Sequence, residues 1–180
     1  MRIALTGGIA CGKTALANRL NELGIQTLDA DDIVHEILPE AERRRLADEV
    51  FRNPDVRRAL EARIHPIVRE RLAAFAAGPG PIRVEIIPLL FECHWEPDYD
   101  IIICVSSPRS LQIERMVATR GYTEEQAEAR LAAQLPVEEK AARSDYVIVN
   151  DGSVDTLVDK AGKLAEWLKG KCDGRRRKDS

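Results

Sequence analysis

One octapeptide near the start of the chain, Gly7-Gly8-Ile9-Ala10-Cys11-Gly12-Lys13-Thr14, constrains the fold more than any other feature. It matches G-x-x-x-x-G-K-[ST], a loop that wraps phosphate groups. Gly7 and Gly12 permit backbone angles that turn consecutive N–H groups inward onto phosphate oxygens. Lys13 carries a positive charge to the β- and γ-phosphates, and Thr14 offers a hydroxyl to Mg²⁺. The helix beginning there presents its positive N-terminus. Context gives the short pattern its weight. The apolar run Arg2-Ile3-Ala4-Leu5-Thr6 leads into the glycines, and Leu16, Leu20 and Leu23 follow at helical spacing with Gly24 as the stop. A strand, a phosphate loop and a helix are therefore the expected first elements. Gly7, Gly8, Ala10, Cys11, Gly12, Lys13, Thr14 and Ala15 are the candidate nucleotide contacts. Cys11 stands near a helix N-terminus and Lys13, both of which favour thiolate; the alternative is an inert small residue.

The remaining chain alternates short apolar runs with helical patterns. Ile25 to Leu28 reads as a second strand, and the pattern from Asp29 to Pro81 is helical. Asn53-Pro54-Asp55 opens a helix carrying Val56, Leu60 and Ile64 on one face. His65-Pro66 is expected to interrupt it and open another, which Gly78-Pro79-Gly80-Pro81 ends. Strands are predicted at Ile82 to Leu90, Tyr99 to Val105 and Tyr146 to Val149. Leu111 to Arg120 is helical, Thr123-Glu124-Glu125-Gln126 is a capping box, and the stripe Val154, Leu157, Val158, Ala161, Leu164, Ala165, Leu168 marks the last helix.

Such alternation predicts a parallel sheet covered on both faces. The spacing places a single domain over 1–170, with a core of 1–34, 81–109 and 144–170. The all-helical stretches 35–80 and 110–143 each follow the carboxyl end of a strand, where open α/β sheets bind ligands. They are the expected substrate-binding insertion and lid. The basic tail 171–180, with Gly174-Arg175-Arg176-Arg177-Lys178, is expected to be disordered.

A net charge of −3 argues against a general nucleic-acid or membrane partner, because both select basic surfaces. The four cysteines show no C-x-x-C pairing and no histidine at zinc spacing, so free thiols in a reducing compartment are expected. No leader pattern precedes the first strand, and no apolar run approaches the roughly 20 residues of a bilayer span. The expected location is the cytoplasm.

Asp29, Asp31 and Asp32 follow the second strand, beside the phosphate loop in any doubly wound sheet. Phosphoryl transfer to an alcohol benefits from a carboxylate that orients and deprotonates the hydroxyl. Asp32 is the candidate N-cap of the next helix, leaving Asp29 and Asp31 for chemistry.

With these residues in place, the chain resembles the dephospho-CoA kinases over about residues 2 to 157. The resemblance rests on Ala4-Leu5-Thr6-Gly7-Gly8-Ile9, Leu28-Asp29-Ala30-Asp31, Arg43 with Leu46, Val50-Phe51 and Ile64-His65-Pro66. It continues through Pro88-Leu89-Leu90-Phe91-Glu92, and Asp145-Tyr146-Val147-Ile148 before Asn150. It implies a three-layer α/β P-loop kinase with a five-stranded parallel sheet, a helical substrate-binding insertion and a helical lid. ATP is the implied co-substrate with Mg²⁺, and the ribose 3′-hydroxyl of dephospho-CoA the acceptor. Asp31 matches the general base, with Lys13, Arg115 and Arg120 completing the catalytic set. Asp29 matches the acid near metal and phosphates, and Thr14 the other metal ligand. Arg43, His65 and Pro66 match the acceptor-holding region, and Asn150 lies where the adenine of ATP is expected. His65 has an alternative as a packed helix corner, and Arg115 and Arg120 as solvated charges.

The sequence departs from the family twice. Ala10 stands where the family usually has glycine, which is tolerable at negative φ. Between Leu38 and Arg43 the chain keeps little more than Pro39-Glu40-Ala41-Glu42, where the family carries a longer stretch with a Phe-Gly pair. A kinase of another small acceptor, such as a nucleoside monophosphate or a shikimate-like alcohol, is the first rival. A nucleotide-binding switch protein is the second. The expected assembly is a monomer or weak homo-oligomer.

Overall fold

The computed structural model describes residues 1–43, 46, 53–80, 82–152 and 154–176. The stretch 40–71 is rich in arginine; of it Arg44, Arg45 and Arg52, together with Val50, Phe51, Pro81, Arg177 and Lys178, lie outside the described residues. The sheet has five strands: β1 (Ile3–Gly7), β2 (Gln26–Asp29), β3 (Arg83–Ile86), β4 (Ile101–Ser106) and β5 (Tyr146–Val149). All pair in parallel, in the order β2-β3-β1-β4-β5. β1 connects to the edge strand β2 on one side, and β3, beside β1, connects back across to β4 on the other. Connections leaving in opposite directions open a crevice at the carboxyl ends of these strands, where the phosphate loop begins.

Among the described residues, the helices that accompany the strands include α1 (Lys13–Glu22), α2 (Ala30–Ile37), α3 (Pro54–Ala77), α4 (Arg109–Arg120), α5 (Glu124–Ala132), α6 (Val137–Ala142) and α7 (Val154–Arg176). Ile3 and Leu5 of β1 face a cluster with Leu16 and Leu20 of α1 and Leu164 and Leu168 of α7. Ala4 faces the opposite cluster, with Ile33 of α2 and Ile64, Val68 and Leu72 of α3. Alternation along a strand buried on both faces produces this split. Each fully buried leucine contributes about 1.5–3 kcal/mol.

Several expectations change. The cap of α2 is Asp29, not Asp32: Asp29 Oδ1 accepts the Asp31 N–H at 2.9 Å. Strand and helix join without a linker, so the last extended residue takes the cap and Asp32 already lies inside the helix. Pro66 does not break the helix, since α3 runs unbroken across it. The lost hydrogen bond and steric clash cost about 3 kcal/mol. Ile64, Val68 and Leu72 stay buried on both sides of it and offset that cost. The third strand ends at Ile86 rather than Leu90, because Pro88 has no N–H for a ladder.

The tail is not disordered from 171, since α7 continues to Arg176. Trp167 packs on Tyr146 at 4.8 Å between ring centroids, and Lys171 stands 5.2 Å over the Trp167 ring. Basic side chains also suit a helix C-terminus. Among the described residues, 35–80 and 110–143 contain helices and no strand. Yet α6 packs on β4 and β1, with Val137 in the sheet cluster. The last helix of the expected lid thus belongs to the core layer.

Candidate active site

The phosphate loop enters α1 with no side-chain cap, and Gly12 at its N-cap is left-handed at φ 95. The orphan N–H groups of that helix end therefore face outward, ready for an anion. They border a cavity of about 570 Å³ lined by residues 9–15 together with Asp29, Asp31, Arg115 and Arg120. A Cβ on Gly7, at φ 144, would collide with the Val105 carbonyl of the adjacent strand. Ala10 adopts φ 57, so its methyl occupies the left-handed region rather than the negative φ that would make it harmless.

If loop N–H groups turn inward, the carbonyls turn outward and need donors of their own. Five consecutive carbonyls find them on side chains. Lys13 Nζ donates to Gly7 O at 3.0 Å and Gly8 O at 2.8 Å. Gln112 Nε2 donates to Ile9 O at 2.7 Å, Arg115 Nη1 to Ala10 O at 3.3 Å, and Asn150 Nδ2 to Cys11 O at 2.9 Å. Ser107 joins the ends of this clamp: its hydroxyl donates to Asn150 O at 2.7 Å and accepts from Arg115 at 2.9 Å. Asn150 and Gln112 are buried. The Asn150 side chain is thereby committed to the loop, and Arg115 is anchored at the cavity wall. Arg120 is exposed on the same wall and has no ion pair with a described residue.

A second cavity, of about 320 Å³, opens beside the first. Its wall is apolar, with Leu60, Ile64, Trp95 and Leu89 among its lining, and Arg57 and Glu61 at its edge. Asp31 and Pro88 line both cavities. Asp31 is exposed to solvent where the two cavities meet. Burial raises its pKa above the ordinary aspartate value, against the pull of Lys13 and His35. Burial also raises Asp29, while its hydrogen bond from the Asp31 N–H opposes the shift. Burial lowers Lys13, with Lys140 acting in the same direction.

His65 lines the apolar cavity edge-on to Trp95 at 4.9 Å, and burial lowers its pKa. It sits inside the unbroken α3 rather than at a helix corner, as part of the cavity wall. Pro66 is exposed on the outer side of α3 and lines neither cavity. Arg43 donates to the Leu38 carbonyl at 3.1 Å and lines neither cavity. Among the described arginines of the stretch 40–71, several form surface ion pairs: Arg58 with Asp55, Arg63 with Glu42, Arg69 with Asp98, Arg71 with Glu36. Cys11 is wholly buried and burial raises its thiol pKa, which favours the inert small residue over a thiolate. Thr14 is exposed at the first cavity. Among the described residues no group of three or more His, Cys, Asp or Glu could hold a metal unaided. A hard cation here would share phosphate oxygens with Thr14 and the nearby carboxylates, as Mg²⁺ does with nucleotides.

The profile of the dephospho-CoA kinase family matches residues 1–42 and 39–156. The chain belongs to the dephospho-CoA kinase family. The two matched segments overlap at 39–42. The dephospho-CoA kinase of Anaeromyxobacter dehalogenans is 39% identical, over 93% of this chain and 92% of its own length. That alignment spans 194 positions against 180 residues here, so this chain carries gaps relative to it. Among solved structures, Thermus thermophilus TT1252 superposes with a TM-score of 0.79 at 34% identity, covering 92% of this chain and 97% of its own. The dephospho-CoA kinase from Campylobacter jejuni gives 0.68 at 27% identity, covering 94% and 98%. The family is one of ATP-dependent kinases, and the sheet and its flanking helices are those of a P-loop kinase.

Sequence reasoning missed Gln112, Ser107 and Lys140, and met Glu92 only as part of a motif. An isolated glutamine, serine or lysine on a helical or loop pattern carries no local signal. The burial of Gln112 and Lys140 is decided by the elements packed around them.

Proposed function

We propose that this chain transfers the γ-phosphate of ATP to the ribose 3′-hydroxyl of dephospho-CoA, releasing CoA and ADP. The observation that carries the reading is the position of Asp31 on the wall common to the phosphate-loop cavity and the apolar cavity. A carboxylate there can touch a hydroxyl held on one side while a triphosphate lies on the other. The apolar walls around Trp95 and Leu60 suit the flat base of a nucleotide acceptor.

In this reading Asp31 accepts the hydroxyl proton as the oxygen attacks the γ-phosphorus, and the bond to the ADP oxygen breaks. The raised pKa brings Asp31 nearer the working pH, which favours a base. Lys13 and Arg120 are the cations available to the charge on the transferring group. Arg115 holds the loop that cradles the phosphates. Thr14 and Asp29 would hold Mg²⁺, which when bound neutralises phosphate charge. His65 forms part of the acceptor wall. The enzyme acts on small molecules in the cytoplasm, as a monomer or weak homo-oligomer, with no nucleic acid or membrane partner. A net charge of −3 argues against a general nucleic-acid or membrane-surface partner.

The test is ADP release from ATP·Mg²⁺ with dephospho-CoA, a nucleoside monophosphate or shikimate as acceptor. Robust turnover of dephospho-CoA is expected. Silence there with turnover of another acceptor would overturn the reading, and acceptor-independent hydrolysis alone would point to a switch protein.

A further inference from the structure

Lys140 on α6 has no solvent exposure. Its ammonium lies 2.7 Å from Glu92 Oε1 and donates to the Pro88 carbonyl at 2.9 Å. The same carbonyl accepts from Thr6 Oγ1 at 3.3 Å, and Glu92 Oε1 also accepts the Leu135 N–H at 3.0 Å. One buried cation thus joins the end of β1, the turn after β3 and the entry to α6. Pro88 is the ridge shared by the two cavities. A proline has no N–H, so its carbonyl is the one backbone group by which a hydrogen bond can hold it.

Stability does not account for this arrangement. A buried ion pair is often matched or bettered by apolar residues of similar volume, because desolvation offsets the Coulomb gain. The network does, however, fix a point that both cavities share. We propose that Lys140 is a positioning residue for phosphoryl transfer: through Pro88 it sets where the acceptor cavity stands relative to the phosphate loop. The inference rests on the reading of the two cavities as acceptor and nucleotide sites. Lys140 lines neither cavity, so its effect falls on alignment rather than on binding. A misplacement of about 1 Å costs on the order of 100-fold in rate. Water then competes with the misaligned hydroxyl for the γ-phosphorus, giving ADP and inorganic phosphate.

The experiment measures inorganic phosphate and CoA together, with ATP·Mg²⁺ and saturating dephospho-CoA, for the full chain and two variants. Lys140→Met is expected to raise the ratio of phosphate to CoA about tenfold or more, with the KM for ATP within about threefold. The ratio is independent of the fraction of molecules folded, so an unstable variant still reports. Lys140→Met combined with Glu92→Gln removes the uncompensated charge while keeping an acceptor for Leu135. It is expected to recover thermal stability but not the ratio. An unchanged ratio in Lys140→Met, or a wild-type ratio in the double variant, would overturn the inference and leave the functional reading standing. Inertness of the wild-type chain toward dephospho-CoA would overturn the functional reading, and this inference with it.

Discussion

The Asn150 side-chain amide donates to the Cys11 carbonyl at 2.9 Å, closing the phosphate loop against a residue 139 positions away. Gly12 is required for that approach, because a Cβ there would collide with Asn150 Nδ2. Removing the donor leaves a loop carbonyl unpaired, at a cost of about 1–3 kcal/mol. Asn150→Ala is expected to weaken ATP binding by about tenfold, as read by calorimetric titration, and Gln112→Leu to do the same through Ile9. Unchanged affinity in both would show that the loop holds its shape without the clamp.

Asp31→Asn keeps size and polarity but cannot take a proton. A positioned general base contributes roughly 100- to 10,000-fold. The kcat for dephospho-CoA phosphorylation is expected to fall by about that range, with ATP affinity nearly unchanged. A kcat within about threefold of wild type would remove Asp31 from the base role.

The pH profile follows from the directions of two shifts. In the proposed base role Asp31 works deprotonated, and burial raises its pKa, so activity is expected to be lost on the acid side at a higher pH than an ordinary aspartate would give. In its proposed role Lys13 works protonated, and burial lowers its pKa, so activity is expected to be lost on the alkaline side at a lower pH than an ordinary lysine would give. The plateau of kcat/KM, which reports the free enzyme, is therefore expected to be narrowed from both ends. In Asp31→Asn the acid limb attributed to this carboxylate disappears.

Ala10 at φ 57 carries about 1 kcal/mol of left-handed strain that glycine would not. Glycine gives back some of this through a freer unfolded chain, about 0.4–1 kcal/mol. Ala10→Gly is expected to be neutral or stabilising by a few tenths of a kcal/mol, and to leave the melting temperature equal or up to about 2 °C higher. A fall of several degrees would show that the methyl has a packing role.

Cys11 is buried with a raised thiol pKa, whereas Cys172 is partly exposed. A maleimide at neutral pH is expected to label Cys172 well before Cys11 by peptide mass spectrometry, and activity to survive that first event. Rapid labelling of Cys11 with loss of activity would restore the reactive-thiolate reading.

The octapeptide, the alternation of strands and helices and the acids after β2 were legible because each is a local code. Glycine position decides φ, hydrophobic spacing decides which face is buried, and Asp29-Ala30-Asp31 spans the end of a strand and the start of a helix. The misreadings have a common cause. Pro66 and Asp32 carry strong local signals, but the packing of α3 overrode one and the direct junction of β2 with α2 overrode the other.

From sequence alone come the phosphate loop, the sheet and the family pattern, since contiguous residues and their order suffice for these. Tertiary structure decided what the loop leans on and what Asp31 faces. Gln112, Arg115 and Asn150 reach the loop from more than 100 residues away, and Asp31 borders two cavities whose other walls come from α3, α4 and the turn after β3. Hydrogen-bond satisfaction of outward carbonyls is a requirement of the loop, but which distant side chain meets it depends on packing across the sheet.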